Sequence, residues 1–193
     1  MQTRKMVQGF VLLFAFVISA CSSRGTPLAT FTAVSYDRVT PIAPTPPPED
    51  VQVIRRVEGE NVQVWVASVG AGFMDPSAPR FDYRGYQTSD SYYTLDGQTH
   101  RIIAINPIKA PVIQDGLSPQ ELEKLARDLI LRASPEINLD ALTPEYGAKI
   151  SNHFFRWTDT NKQFTDGSHP YIQVGLTGKG ELLNYINTIA LVR

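Results

Sequence analysis

The sequence predicts an α+β domain: an antiparallel sheet with one main helix packed across one face, preceded by a disordered proline-rich tether. Two early pairs of β-branched runs around turn residues, one capped amphipathic helix, and three strand-like runs after it predict this fold. The chain has 193 residues, which suits a single domain at 51–193 together with a leader and a linker.

The first twenty residues have the composition of a secretory signal. Arg4 and Lys5 precede an almost wholly apolar run at 10–19. A stable membrane span needs about 20 apolar residues, so this run is too short to be one. We therefore predict that residues 1–20 are a signal peptide.

The signal ends in Ile18-Ser-Ala-Cys21, and Cys21 is the only cysteine in the chain. This segment resembles the lipobox of bacterial lipoproteins, in which an aliphatic and two small residues precede a cysteine. The resemblance implies cleavage between Ala20 and Cys21 and lipidation of Cys21. Two acyl chains give stable anchoring, so the expected location is a membrane of the bacterial cell envelope, the outer membrane if the host has one. The alternative is an ordinary signal peptide with an incidental cysteine.

Residues 21–50 are predicted to form a flexible tether. Six of the eight residues at 41–48 that close it are proline or alanine, and such a stretch favours extended polyproline II over a packed element.

Two hairpins are predicted at the start of the domain. The first joins strands at 51–57 and 62–69. The second joins strands at 92–95 and 98–105 around Asp96-Gly97, a favoured two-residue turn. His100 falls on this last strand, where we expect a surface or packed side chain rather than a ligand.

One helix is predicted from Ser118 to about Ala133. Ser118 caps it, Pro119 suits the first helical position, and Glu121 completes a capping box. Its apolar residues recur with helical spacing at Leu122, Leu125, Ala126, Leu129 and Ile130. After a polar connection, strands are predicted at 150–158, 171–176 and 182–192.

The stretch 118–192 resembles the PepSY domain of secreted peptidase propeptides and bacterial envelope proteins. The similar segments are SPQELEKLAR (118–127), FFRW (154–157), YIQV (171–174) and GELLNY (180–185). Such domains often carry Asp-x-x-Thr-Gly-Glu in the last hairpin, but here Leu176 and Lys179 stand in place of the Asp and Thr. The resemblance implies a helix-on-sheet module that binds or inhibits peptidases or serves as an interaction domain, without catalytic residues.

Charge and motif content exclude several function classes. With 18 basic and 19 acidic side chains, the chain lacks the basic excess of nucleic-acid-binding proteins. His153 and His169 lack metal-ligand spacing with acids such as Asp159 or Asp166, so no metal or other cofactor is expected. The nucleophile pattern G-x-S-x-G is absent.

The stretch 70–91 has no periodic pattern and is predicted to be a long loop. It carries aromatic and arginine side chains, the types enriched at interaction hot spots. We predict that five of them bind a partner: Phe73, Phe81, Tyr83, Arg84 and Tyr86. The alternative is that these rings cover the sheet edge as core residues.

The predicted function is that of a non-catalytic, lipid-anchored envelope protein that binds another protein, a peptide or a wall polymer. Two alternatives stay open. One is an envelope hydrolase, which would be indicated if His153 or His169 met carboxylates in a pocket. The other is a structural subunit of an envelope complex.

Overall fold

A computed structural model describes residues 45–67 and 82–192, which form one eight-stranded antiparallel sheet and two helices. The predicted α+β class is confirmed. The elements, in chain order, are α1 (Pro48–Glu58), β1 (Trp65–Ala67), β2 (Tyr83–Gln87), β3 (Ser91–Asp96), β4 (Ile102–Pro107), α2 (Pro119–Ala133), β5 (Thr143–Lys149), β6 (Asn152–Thr158), β7 (Tyr171–Thr177) and β8 (Leu182–Asn187).

The same order of elements occurs twice. Each helix is followed by four consecutive antiparallel strands, and the strand order across the sheet is β1-β2-β3-β4-β8-β7-β6-β5. The two halves therefore meet at the central pair β4–β8, where Ile105 is paired with Tyr185. This order makes α1 and β1–β4 equivalent to α2 and β5–β8.

One row of side chains crosses the whole sheet on the face that the helices cover. Its members occupy paired positions on neighbouring strands: Val66, Tyr86, Tyr93, Ile105, Tyr185, Val174, Phe155 and Tyr146. Ile54 of α1 and Leu122 of α2 belong to the same buried cluster as most of this row. Both halves therefore share one hydrophobic core.

Helix α2 and the last three strands agree with their sequence patterns, except that Leu125 of the predicted apolar stripe is 41% exposed. Ser118 accepts a hydrogen bond from the Glu121 amide, and the Glu121 side chain accepts one from the Ser118 amide, which completes the capping box. The three predicted strands are present as β6, β7 and β8, although β8 ends at Asn187.

The predicted strand at 51–57 is wrong, because these residues belong to α1. Pro48 occupies the first turn, acidic Glu49 and Asp50 follow it, and Arg55 and Arg56 lie in the last turn, as the helix dipole favours. The buried positions 50, 54 and 57 follow helical rather than alternating spacing. The helix thus includes the last three residues assigned to the tether.

Three further differences concern strands. β1 covers three residues of the predicted strand at 62–69 and pairs with β2 rather than with the 51–57 stretch. β2 lies within the stretch predicted to be a loop, and β5 lies in the predicted polar connection. β5 was missed because all its residues are exposed at the sheet edge, which removes the apolar alternation of a half-buried strand.

The turn between β3 and β4 is longer than the two residues predicted. β4 begins at Ile102, so His100 lies in the turn rather than on a strand. The Asp96 side chain accepts hydrogen bonds from the amides of Gln98 and Thr99, which stabilises the wider turn.

The signal peptide, the cleavage site at Ala20–Cys21 and nearly all of the predicted tether lie outside the described residues. Among the residues that are described, neither helix has the length and apolar character needed to cross a bilayer.

Candidate functional site

The buried carboxylate of Asp50 contacts three other side chains, two from a strand and one from a turn. Asp50 is 0% exposed, and its Oδ2 accepts a hydrogen bond from the Tyr86 hydroxyl. Arg84 Nη1 lies 3.4 Å from the same oxygen, and His100 Nδ1 lies 2.6 Å from Oδ1. We call these four residues the Asp50 cluster.

The cluster forms where the first turn of α1 lies over the start of β2 and the β3–β4 turn. Arg84 and Tyr86 are two residues apart on β2, so both point to the helix-covered face. The helix contributes Asp50 and the turn contributes His100. Three separate elements are therefore joined at one carboxylate.

The donors around Asp50 offset the cost of removing a carboxylate from water. Burial raises the pKa of the Tyr86 hydroxyl, and the hydrogen bond to Asp50 raises it further. Partial desolvation lowers the pKa of Arg84, but its hydrogen bond to Asp50 and the Asp50 charge give a net increase. Tyr86 therefore remains a protonated donor, and Arg84 remains a cation.

His100 has a left-handed backbone conformation with φ of +56°. The equivalent position before β8 is Gly180, with φ of +85°, and both residues donate a backbone hydrogen bond within their turns. The turn reads Asp96-x-x-Thr99-His100. Glycine adopts such a φ without steric cost, whereas histidine does not. In this conformation the imidazole of His100 contacts Asp50.

A cavity of about 450 Å³ adjoins the Asp50 cluster at the sheet edge. The pairing between β1 and β2 ends at Ala67 and Gly85. The first two residues of β2, Tyr83 and Arg84, therefore lie beyond the end of β1. The cavity is lined by Thr45, Pro47, Val66, Ala67, Tyr83, Arg84, Gly85 and Tyr86. It therefore lies between the chain entering α1 and the start of β2.

The structure brings together three of the five residues predicted to bind a partner, because Tyr83, Arg84 and Tyr86 all line this cavity. Phe73 and Phe81 lie outside the described residues. Tyr86 is only 2% exposed, which fits the alternative of a core ring for that residue. Tyr83 and Arg84 are partly exposed.

The two histidines singled out for a hydrolase have other contacts. His153 Nδ1 lies 2.8 Å from the Tyr146 hydroxyl, and His169 Nδ1 lies 2.5 Å from the carbonyl oxygen of Lys162. The histidine that meets a carboxylate is His100. Within residues 45–67 and 82–192, no three His, Cys, Asp or Glu side chains are grouped as a metal site requires.

Sequence reasoning missed Asp50 and His100 as members of the site. Asp50 was assigned to the tether, although Pro48-Glu49-Asp50 is a typical helix beginning. His100 was placed on a strand, and no local signal indicated that its partner would come from 50 residues earlier.

No protein-family profile matches the chain, and none of the curated proteins matches it. Among solved structures, the chain is similar to the YpeB C-terminal domain of Bacillus megaterium, with a TM-score of 0.43 and 14% sequence identity. The likeness covers 74% of this chain and 63% of that one. This chain thus spans less than two thirds of that structure.

Proposed function

We propose that this chain is a lipid-anchored protein of the bacterial cell envelope that binds a protein or peptide partner without catalysis. The anchor is the acylated Cys21, and residues 22–47 connect it to the folded domain. The partner binds at the cavity beside β2.

The cavity that Tyr83, Arg84 and Tyr86 share is the observation that carries this proposal. Arg84 is fixed by Asp50, so little side-chain entropy is lost when a partner contacts it. Tyr83 also lines the cavity, and tyrosine and arginine dominate the energetics of many interfaces. A rigid cation and a ring at a sheet edge suit a peptide segment.

The resemblance of 118–192 to PepSY domains supports the same proposal. The arrangement of one helix and four strands occurs again in the first half, where the turn before β4 carries Asp96 and Thr99 of the PepSY pattern. We propose that both halves are PepSY-like modules and that the partner is a peptidase or a peptide.

Chemical cross-linking of the full-length protein in its native membrane tests this function. Tyr83→Ala and Arg84→Ala should each reduce the yield of the cross-linked partner about tenfold, the effect of losing one hot-spot side chain. Tyr146→Ala is the matched control, because Tyr146 is a half-exposed ring at the opposite edge of the sheet. Equal yields from Tyr83→Ala and Tyr146→Ala would contradict the proposed site. Recovery of a cleaved partner would instead support the hydrolase alternative.

A further inference from the structure

Four side chains form a row on the sheet face opposite the helices, in the first half of the chain. Trp65 pairs with Gln87, Gln87 with Tyr92, and Tyr92 with Asn106. Residues directly paired across strands point to the same side of a sheet. Each of the four is next in sequence to a member of the core row, so all four point away from the helices. We call this row the aromatic platform.

The aromatic platform is accessible and uncharged. Trp65 is 45% exposed and Tyr92 is 44% exposed, which places them among the most exposed aromatic residues of the described chain. Gln87 lies between the two rings and Asn106 lies beside Tyr92, and both amides are partly exposed. The next row on the same face, which consists of Ala67, Gly85, Thr94 and Ala104, is uncharged as well, but Gly85, Thr94 and Ala104 are buried.

The second half shows that the fold does not require these residues. The equivalent row there consists of Glu145, Arg156, Gln173 and Ile186. Arg156 donates hydrogen bonds to Gln173 and lies over the ring of Tyr171. The polar side chains of that row therefore already contact each other. Two exposed rings alternating with amides are therefore a property of the first half alone.

We infer that the aromatic platform binds an extended neutral polysaccharide. The apolar faces of hexose rings stack on aromatic side chains, and amides both donate and accept hydrogen bonds as sugar hydroxyls do. Two strand spacings separate Trp65 from Tyr92, about 10 Å, which suits stacking on every second ring of an extended, equatorially linked chain. The absence of charge from the aromatic platform complements a polyol and disfavours phosphate or an acidic peptide. None of the four platform residues lines the proposed peptide cavity.

Tryptophan fluorescence of the full-length protein gives a direct test, because the chain has only two tryptophans. Trp157 is 1% exposed in the core, so a change in solvent access on titration reports on Trp65. We expect chitohexaose to shift the emission to shorter wavelength and to protect Trp65 from acrylamide quenching. Tyr92→Ala should weaken this binding about tenfold, the effect of losing one stacked ring.

Two control variants separate the platform from general surface effects. Tyr146→Ala removes a half-exposed ring elsewhere, and Gln173→Ala alters the equivalent row of the second half, so both should bind chitohexaose as the wild type does. Unchanged emission and quenching with chitohexaose would overturn the inference. Wild-type affinity in Tyr92→Ala, or a saturable response to polyglutamate in place of glycan, would also overturn it.

Discussion

Asp50 fixes helix α1 to the sheet through side chains from two other elements. The carboxylate is fully buried, and Tyr86 and His100 both contact it. A buried carboxylate is stable only when its oxygens accept hydrogen bonds, and the buried Tyr86 hydroxyl needs an acceptor in turn. The stability of the α1 attachment therefore depends on this residue.

Asp50→Ala should destabilise the domain by about 2 to 3 kcal/mol, since it leaves the buried Tyr86 hydroxyl without its acceptor. Chemical denaturation monitored by circular dichroism measures the loss. Asp82→Ala is the control: Asp82 is exposed and lies 3.8 Å from Arg84, so its removal should change stability by less than about 0.5 kcal/mol. Equal effects of the two substitutions would show that the Asp50 cluster does not hold α1.

The sequence indicates Arg84 and Tyr86 as candidate binding residues, because arginine and aromatic residues are enriched at hot spots. It does not indicate that both contact Asp50. Their side chains meet Asp50 only because α1 crosses the start of β2, which is a tertiary contact over more than 30 residues. Periodicity carries information about local structure and none about such a contact.

At the scale of single elements, α2 was predictable because its cap, its first-turn proline and its apolar stripe all agree. In α1 the signals conflict. Its valines at 51, 53 and 57 favour a strand, while Pro48 and the ordered charges favour a helix. The helix forms because it buries Ile54 and Val57 together against the sheet.

The β5–β6 hairpin contains a strained turn. Ile150 and Ser151 have φ of +47° and +56°, and Ile150 is 80% exposed. Two positive φ values in a two-residue turn match type I′ geometry, for which Asn-Gly is the favoured sequence. A β-branched residue in this conformation is a steric outlier.

Replacing both residues, Ile150→Asn with Ser151→Gly, should stabilise the protein by about 1 to 2 kcal/mol by relieving this strain. Urea denaturation measures the gain. Ser151→Ala keeps the strain and should give no gain. A double variant no more stable than the wild type would mean that the turn is not under strain.

Across the whole molecule, the two halves share one core, although the PepSY resemblance covered only 118–192. The predicted helix and strands of that stretch are largely present, whereas the same order of elements in the first half was not predicted. The reason is that α1 was assigned as a strand and β2 as a loop, which removed the repeated order of elements. β5 also has no buried residue that would give the alternation of a half-buried strand.

A fragment of residues 118–192 should not fold cooperatively, whereas the full domain should unfold in one transition. Without β4, the β8 strand loses its neighbour and Tyr185 loses its pairing with Ile105. Loss of α1 also removes Ile54 from the shared core. Near-ultraviolet circular dichroism and amide dispersion in NMR spectra check this, and a well-dispersed fragment spectrum would show that the halves fold independently.

We propose that Cys21 anchors this domain to an envelope membrane, and metabolic labelling with an alkyne palmitate analogue tests this proposal most directly. The wild type should incorporate the label and sediment with membranes. Cys21→Ser should do neither, because the chain has no other cysteine. An unlabelled wild type, or equal labelling of Cys21→Ser, would contradict the account.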